Sequence, residues 1–412
     1  MLFLAPAEVF TTLTLIKDTT MKKQMFTPCN TVRLLLSTVF TAGLLVNTVS
    51  AADIKVGMST ALNGPASALG QGVKLGVDAY FSKINAAGGV NGHTLSLIAL
   101  DDGYEPKRAA PNMDTLIDKE NVVAVLGNVG TPTAVVTAPV ANAKKTLLFG
   151  AFTGAGLLRK SPPDRYIINY RASYAEETSA MIDGLLSAGI KPEEIAFFTQ
   201  NDGYGDAGYK GALKALKNKG VDGEVLAHGR YARNTINVED ALGTILDADV
   251  EPKAVIMVGA YKPCAAFIKL AKEEIPEALF LNVSFVGSIP LLNELGDQAD
   301  GVIVTQVVPH YESSLAGVSD YRKDLTAFKA DAKPDFVSLE GYLIAKIFVE
   351  GVKKAASPSR EGIIDGLESL SNMDIGTGVP VTYNKSEHQA SHKVWPTVIK
   401  NGAYVELDWK TL

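Results

Sequence analysis

"VAVLGNVGTPTAVVTAPVANAKK", Val123 to Lys145, holds the unit from which the architecture is built. An apolar run of strand length stops at Gly127-Asn128-Val129-Gly130, and Thr131-Pro132 then opens an Ala/Val-rich segment. A strand, a glycine-bearing loop and a helix entered through a proline form one βα unit. Main-chain amides at such a helix start suit an anion or another acceptor. Thr131 is expected to cap the helix, with Pro132 at its first position.

The same alternation runs outward in both directions. Upstream, "IKVGM" reads as a strand, and "VKLGVDAYFSKINAAGG" puts Val73, Val77, Phe81 and Ile84 on one helical face before Gly88-Gly89 stops it. "TLSLIALDD" and a helix from Pro106 to Lys119 complete the lead-in, and "TLLFGAF" is the strand that follows Lys145. Beyond "YIINYRASYAEE" the pattern resumes with strands "IAFFTQ", "EVLAHGRY", "AVIMVG" and "LFLNVSFVG", separated by helical segments. Two runs of βα units predict two lobes, each built on a parallel sheet with helices on both faces. Near the end, Asn401-Gly402 between "KVWPTVIK" and "AYVELDW" is a hairpin signal that returns the chain to one of the sheets.

In such sheets ligands meet the loops at the carboxyl ends of the strands. Those loops include Leu62 to Pro65 with Asn63, Asp101 to Glu105, Asn128 to Thr133, Ala151 to Gly154, Asn201 to Asp206, Gly259 to Pro263 and Ser284 to Ser288. Tyr104, Phe152, Tyr204 and Tyr261 fall in them, offering apolar faces and, from the tyrosines, a hydrogen bond each.

Catalytic signatures are missing from the sequence. There is no G-x-S-x-G elbow or P-loop lysine motif, and "GAGLLR" (Gly154 to Arg159) lacks the third glycine of a dinucleotide fingerprint. His388 and His392 in "EHQASH" lie between strands rather than on a helix, so a solvated loop is expected and no metal. Asp101 and Asp102, adjacent on a strand, point to opposite faces and suit turn capping. No cofactor is expected.

The whole chain carries a net charge of −6; residues 1–52 hold four basic and two acidic side chains, leaving −8 for the rest. That sign disfavours nucleic acid as a partner. Lys22, Lys23 and Arg33, then "LLLSTVFTAGLLV" and the small residues of "VSAAD", read as a cleaved signal peptide within a leader of residues 1–51, with Met21 as its expected start. Of the two cysteines only Cys264 follows the leader, on the apolar side of a helix, where burial accounts for it.

The segments "IKVGMSTALNGPASALGQGVKLGVDAYFSKINAAGGVNG", "LDDGYEP", "GTPTA", "NDGYGDAGYKGALKALK", "GAYKP", "SFVGS" and "VVP" resemble the periplasmic substrate-binding proteins of the leucine/isoleucine/valine type that serve ABC importers. The resemblance covers nearly everything after Asp53. It implies the type I periplasmic binding fold: two Rossmann-like lobes joined by three hinge crossovers, here 53–172 with 306–378 and 173–305 with 379–412. It also implies a monomer in the periplasm. That monomer would capture a small polar or amphipathic molecule (carboxylate, amino-acid-like or aromatic acid) and deliver it to ABC permease subunits in the inner membrane, breaking no bond. A periplasmic sensor working with a receptor kinase or chemoreceptor, or an exported enzyme, is the competing reading.

By the same resemblance a ligand carboxylate is held by the loops Gly130 to Thr133 and Ala151 to Thr153, that is, by Gly130, Thr131, Thr133, Ala151, Phe152 and Thr153. Tyrosines at 204 and 261 close from the second lobe. The acids that hold an ammonium group in that family align with Tyr174 and Ser284, neither of them acidic, while Glu176 and Glu177 lie near the first. A free α-amino acid is therefore disfavoured as ligand. Arg171 in "NYRAS" is open to two readings, a partner for a second carboxylate or a brace for the crossover.

Overall fold

The computed structural model describes residues 53–412, and the elements below are those among these residues; the leader and signal peptide lie outside them. Strands β1 (Ile54–Thr60), β2 (Leu95–Asp101), β3 (Ala124–Leu126), β4 (Leu147–Phe149) and β5 (Ile167–Ile168) form a parallel sheet in the order β2-β1-β3-β4-β5. Helices α1 (Ser67–Ala86), α2 (Pro106–Asp114) and α3 (Thr131–Ala143) connect them. The chain then passes to the second lobe through residues 169–173 and enters α4 (Tyr174–Ser187).

The second sheet alternates β6 (Ile195–Gln200), α5 (Gly203–Asn218), β7 (His228–Tyr231), α6 (Glu239–Leu246), β8 (Ala254–Val258), α7 (Tyr261–Glu274), β9 (Leu279–Asn282), α8 (Ser288–Leu295) and β10 (Ile303–Gln306). From there α9 (Ala316–Phe328), α10 (Phe336–Lys354) and α11 (Arg360–Glu368) return to the first lobe, before β11 (Trp395–Lys400) and β12 (Ala403–Glu406) close the second sheet. Its order is β12-β11-β10-β9-β8-β6-β7, parallel except for the final hairpin. Asn401 (φ 52°) and Gly402 (φ 72°) make the hairpin turn that the Asn-Gly pair predicts. The two-lobed α/β architecture is thus as the alternation implies.

The return of α10 to the first lobe rests on small residues. A Cβ on Gly76 of α1 would lie 2.0 Å from the Ser338 carbonyl oxygen, and one on Gly341 of α10 would lie 2.2 Å from that of Val73. Bare backbones let the helices touch, and Tyr80 and Tyr342 lock the crossing edge to face at 4.9 Å.

One boundary differs from expectation. Residues 381–391, expected in the second lobe, run along the first. The Tyr383 ring packs on Phe149, its hydroxyl donates to the Asn169 carbonyl at 2.9 Å, and the Asn169 amide donates to the His388 carbonyl at 2.7 Å. Buried apolar area decides this, because Tyr383 is 1% exposed. The third crossover therefore starts near Ser391, whose amide donates to the Tyr170 carbonyl of the first crossover.

Candidate functional site

Two loops of the first lobe are zipped together. The Gly130 amide donates to the Phe152 carbonyl at 3.1 Å and the Phe152 amide to that of Asn128 at 2.8 Å. Gly130 is required twice over: its φ is 106°, and a Cβ there would meet the Tyr104 ring at 2.2 Å. Helix α3 begins at Thr131, one residue earlier than a Thr131 cap requires, with Gly130 in the capping position. The Thr131 hydroxyl instead pairs with that of Thr153 at 2.6 Å, and the Thr133 hydroxyl donates to the Val129 and Gly130 carbonyls. Thr131 and Thr153 are buried side by side, and so are Ala151 and Phe152.

An aromatic cluster spans the lobes above these loops. Phe285, in a 3₁₀ turn (Ser284–Val286) of the second lobe, lies 4.5 Å from Tyr204, 5.5 Å from Phe152, 5.9 Å from Tyr104 and 6.5 Å from Tyr174, ring centre to ring centre. Tyr174 and Tyr204 tilt against each other at 5.3 Å. Each helix start positions its ring. Ser173 and Glu176 form a capping box around the first turn of α4, and Asp202 caps α5 through the Tyr204 amide. The Tyr204 hydroxyl donates to the Gly259 carbonyl at 3.2 Å, and Gln200 donates to the Tyr104 hydroxyl at 3.2 Å.

At the base of the cluster lies Arg171, on the first crossover and 1% exposed. Its guanidinium stacks over the Phe152 ring at 4.7 Å. Nη2 donates to the Ser284 hydroxyl and lies 3.5 Å from Glu177 Oε1; Nη1 lies 3.6 Å from Glu340 Oε1 on α10. Nε and Nη1 have no hydrogen-bond acceptor among the described residues. Glu177 is fully engaged: Oε1 accepts from the Ser284 hydroxyl, and Oε2 from the Ser284 amide and Thr305. Burial pushes the Glu340 carboxyl up to about 7, Arg171 pulling the other way. Burial also raises Glu177, against Arg171 and its three donors.

The structure thus brings Tyr104, Gly130, Thr131, Phe152, Thr153, Tyr174, Tyr204 and Ser284 into one neighbourhood. Asn63 stands apart, exposed on the rim with its amide on Asp101 Oδ1 at 3.1 Å. Tyr261, first residue of α7, reaches across to Ser67 and Ala68 at the start of α1. Asp101 does cap its turn, through the Leu62, Asn63 and Gly103 amides, while Asp102 is buried on Ser59 and the Tyr104 amide. The expected solvated loop at "EHQASH" holds only for His392, which meets Glu176 at 2.6 Å; His388 is buried between the Ile167 carbonyl and Glu368. Glu176 is accordingly spent on its capping box and His392. No cluster of three metal-ligating side chains occurs among the described residues. Cys264 is buried, as its helical face implies.

Phe285, Glu340 and Gln200 were not singled out from the sequence. Phe285 lies in the expected Ser284 to Ser288 loop, but "LFLNVSFVG" also reads as one strand; β9 stops at Asn282 and the turn lifts Phe285 toward the other lobe. Glu340 sits in an apolar helix more than 160 residues from Arg171, and no local pattern links the two.

A family model described as periplasmic binding protein matches residues 53–403, and the chain belongs to that family. A crystal structure of a possible leucine/isoleucine/valine-binding protein from Rhodopirellula baltica is similar at 49% identity and a TM-score of 0.85, covering 89% of this chain and 99% of that one. The Leu/Ile/Val-binding protein homolog 3 of Brucella melitensis is 24% identical over 79% of this chain and 85% of its own length. A branched-chain amino acid ABC transporter protein from Thermus thermophilus, solved with bound valine, shares the fold at 19% identity and a TM-score of 0.76, over 86% of this chain and 95% of that one. The first two of these carry the name of binding proteins.

Proposed function

We propose that this chain is a periplasmic solute-binding protein that captures a small carboxylate with an apolar or aromatic body between its lobes and delivers it to an ABC permease. The observation that carries the ligand class is Arg171. Among the described residues its Nε and Nη1 lack a hydrogen-bond acceptor, Nη1 having only Glu340 at 3.6 Å; that is costly for a buried guanidinium, and a ligand carboxylate or carbonyl supplies what they lack. Around it the rings of Phe152, Tyr174, Tyr204 and Phe285 suit an apolar body, and the Thr131–Thr153 hydroxyl pair suits a second polar contact.

An α-amino group is poorly served. Glu177, the acid nearest Ser284, has both oxygens engaged and Arg171 beside it, so an incoming ammonium would compete with an internal cation. Closure follows from contact with both lobes: a ligand touching Phe152 and Tyr204 together favours the arrangement in which they meet. Phenylacetate, benzoate, leucine and leucinamide, each run in a thermal-shift titration against wild type and Arg171→Met, test the reading. It expects the aromatic carboxylates to raise the melting temperature of wild type but not of the variant. Tight leucine binding, or carboxylate binding that survives the substitution, would overturn it.

A further inference from the structure

A second set of contacts joins the lobes at the rim, away from Arg171. The first lobe contributes Gly103 to Glu105, the loop between β2 and α2. The second contributes Arg233 and Asn234, beyond β7, together with Asp202 at the start of α5. Arg233 Nη2 donates to Glu105 Oε2 at 2.9 Å and Nη1 to Asp202 Oδ2 at 2.8 Å. Asn234 Nδ2 donates to Glu105 Oε1 at 2.6 Å. Both Glu105 oxygens are therefore taken by the opposite lobe. The network is part-shielded, with side-chain exposures of 23% for Arg233, 40% for Glu105 and 16% for Asp202.

The network runs on into the aromatic cluster. Asp202 Oδ2 also accepts from Gln200 Nε2 at 2.8 Å, and the same nitrogen donates to the Tyr104 hydroxyl. Arg233 lies 6.0 Å from the Tyr104 ring centre. Tyr104 (φ 63°) and Asn234 (φ 61°) are both held in the left-handed region, which is uncommon for non-glycine residues and needs support from surrounding contacts.

We infer that Glu105 and Arg233 form a latch that favours the closed arrangement before any ligand arrives, making Arg233 a positioning residue that pins Tyr104 without belonging to the ligand's own contacts. This rests on the reading that the lobes close over a ligand. A pre-closed population strengthens apparent affinity in proportion to its size, so the latch tunes affinity from outside the pocket. Arginine suits the post because its planar fork gives each carboxylate its own nitrogen in a fixed geometry, Nη2 to Glu105 and Nη1 to Asp202.

Small-angle X-ray scattering of the purified, ligand-free protein tests the latch without knowledge of the ligand. Glu105→Gln and Arg233→Met are expected to lower the closed fraction about two- to fivefold and widen the particle. Arg233→Lys should fall between them and wild type. Wild type should widen likewise in ~1 M salt, where the Debye length is about 3 Å. Melting temperatures of the variants should stay near that of wild type, which separates a latch from a merely structural pair. Scattering curves unchanged by both substitutions and by salt would overturn the inference. Failure of the carboxylate titrations would leave these curves as they are, so the two readings fail separately.

Discussion

Arg171 and Glu340 face each other at the hinge, Nη1 to Oε1 at 3.6 Å, both side chains under 5% exposed and Glu177 on the other side of the same guanidinium. One buried cation thus serves two buried carboxyls, one from each lobe. Two ionised carboxylates around a single guanidinium leave an uncompensated charge in the interior, so one of them tends to hold its proton. Glu340 is the one with the weaker set of partners, since Ser284 and Thr305 both donate to Glu177.

This has a consequence for stability against pH. Glu340 binds its proton up to about pH 7 in the folded chain, against an ordinary value of 4.5. Its contribution is fully present below pH 4.5 and is lost as pH rises through about 7, because the folded state binds the extra proton in that window. Glu340→Gln carries no charge at any pH and removes this decline. Relative to wild type it should therefore gain on the order of 3 kcal/mol between pH 4.5 and pH 8. Urea midpoints at the two pH values measure this; a difference between the proteins that does not vary with pH would contradict it.

Tyr204 tests the aromatic cluster. Its ring touches Tyr174 and Phe285, and its hydroxyl reaches the Gly259 carbonyl. Tyr204→Ala should weaken binding of an aromatic carboxylate at least tenfold, about 1.4 kcal/mol, while the protein still unfolds in one cooperative transition. Titration calorimetry with phenylacetate gives the comparison, and wild-type affinity in the variant would remove Tyr204 from the pocket.

Gly76 tests the helix crossing. An added methyl would strike the Ser338 carbonyl at 2.0 Å and the Tyr342 amide at 2.5 Å, both of them backbone atoms on α10 that cannot swing aside. Gly76→Ala should cost about 1–3 kcal/mol despite the better helix propensity of alanine. A melting temperature equal to or above that of wild type would show that α1 and α10 can separate at no cost.

The order of elements could be read along the chain because hydrophobic period and turn residues are local properties. Val73, Val77 and Phe81 are buried on one face of α1, and Asn401-Gly402 turns the last hairpin. The rings of Tyr104, Phe152 and Tyr204 could be picked out as well, since strand-end loops in a parallel sheet converge on one edge. Thr131 was different: the local pattern points to a helix cap, but the helix starts one residue earlier with Gly130 in that position, and the approach of Thr153 from the next loop takes the Thr131 hydroxyl instead.

The class of fold, the two parallel sheets and the loops that meet between them follow from periodicities that act over a few residues. The chemistry at the centre exists only once the chain is folded. Arg171, Glu177, Ser284 and Glu340 come from a crossover, two different elements of the second lobe and a helix of the first. Their charges acquire a meaning only when burial removes the water that would otherwise screen them.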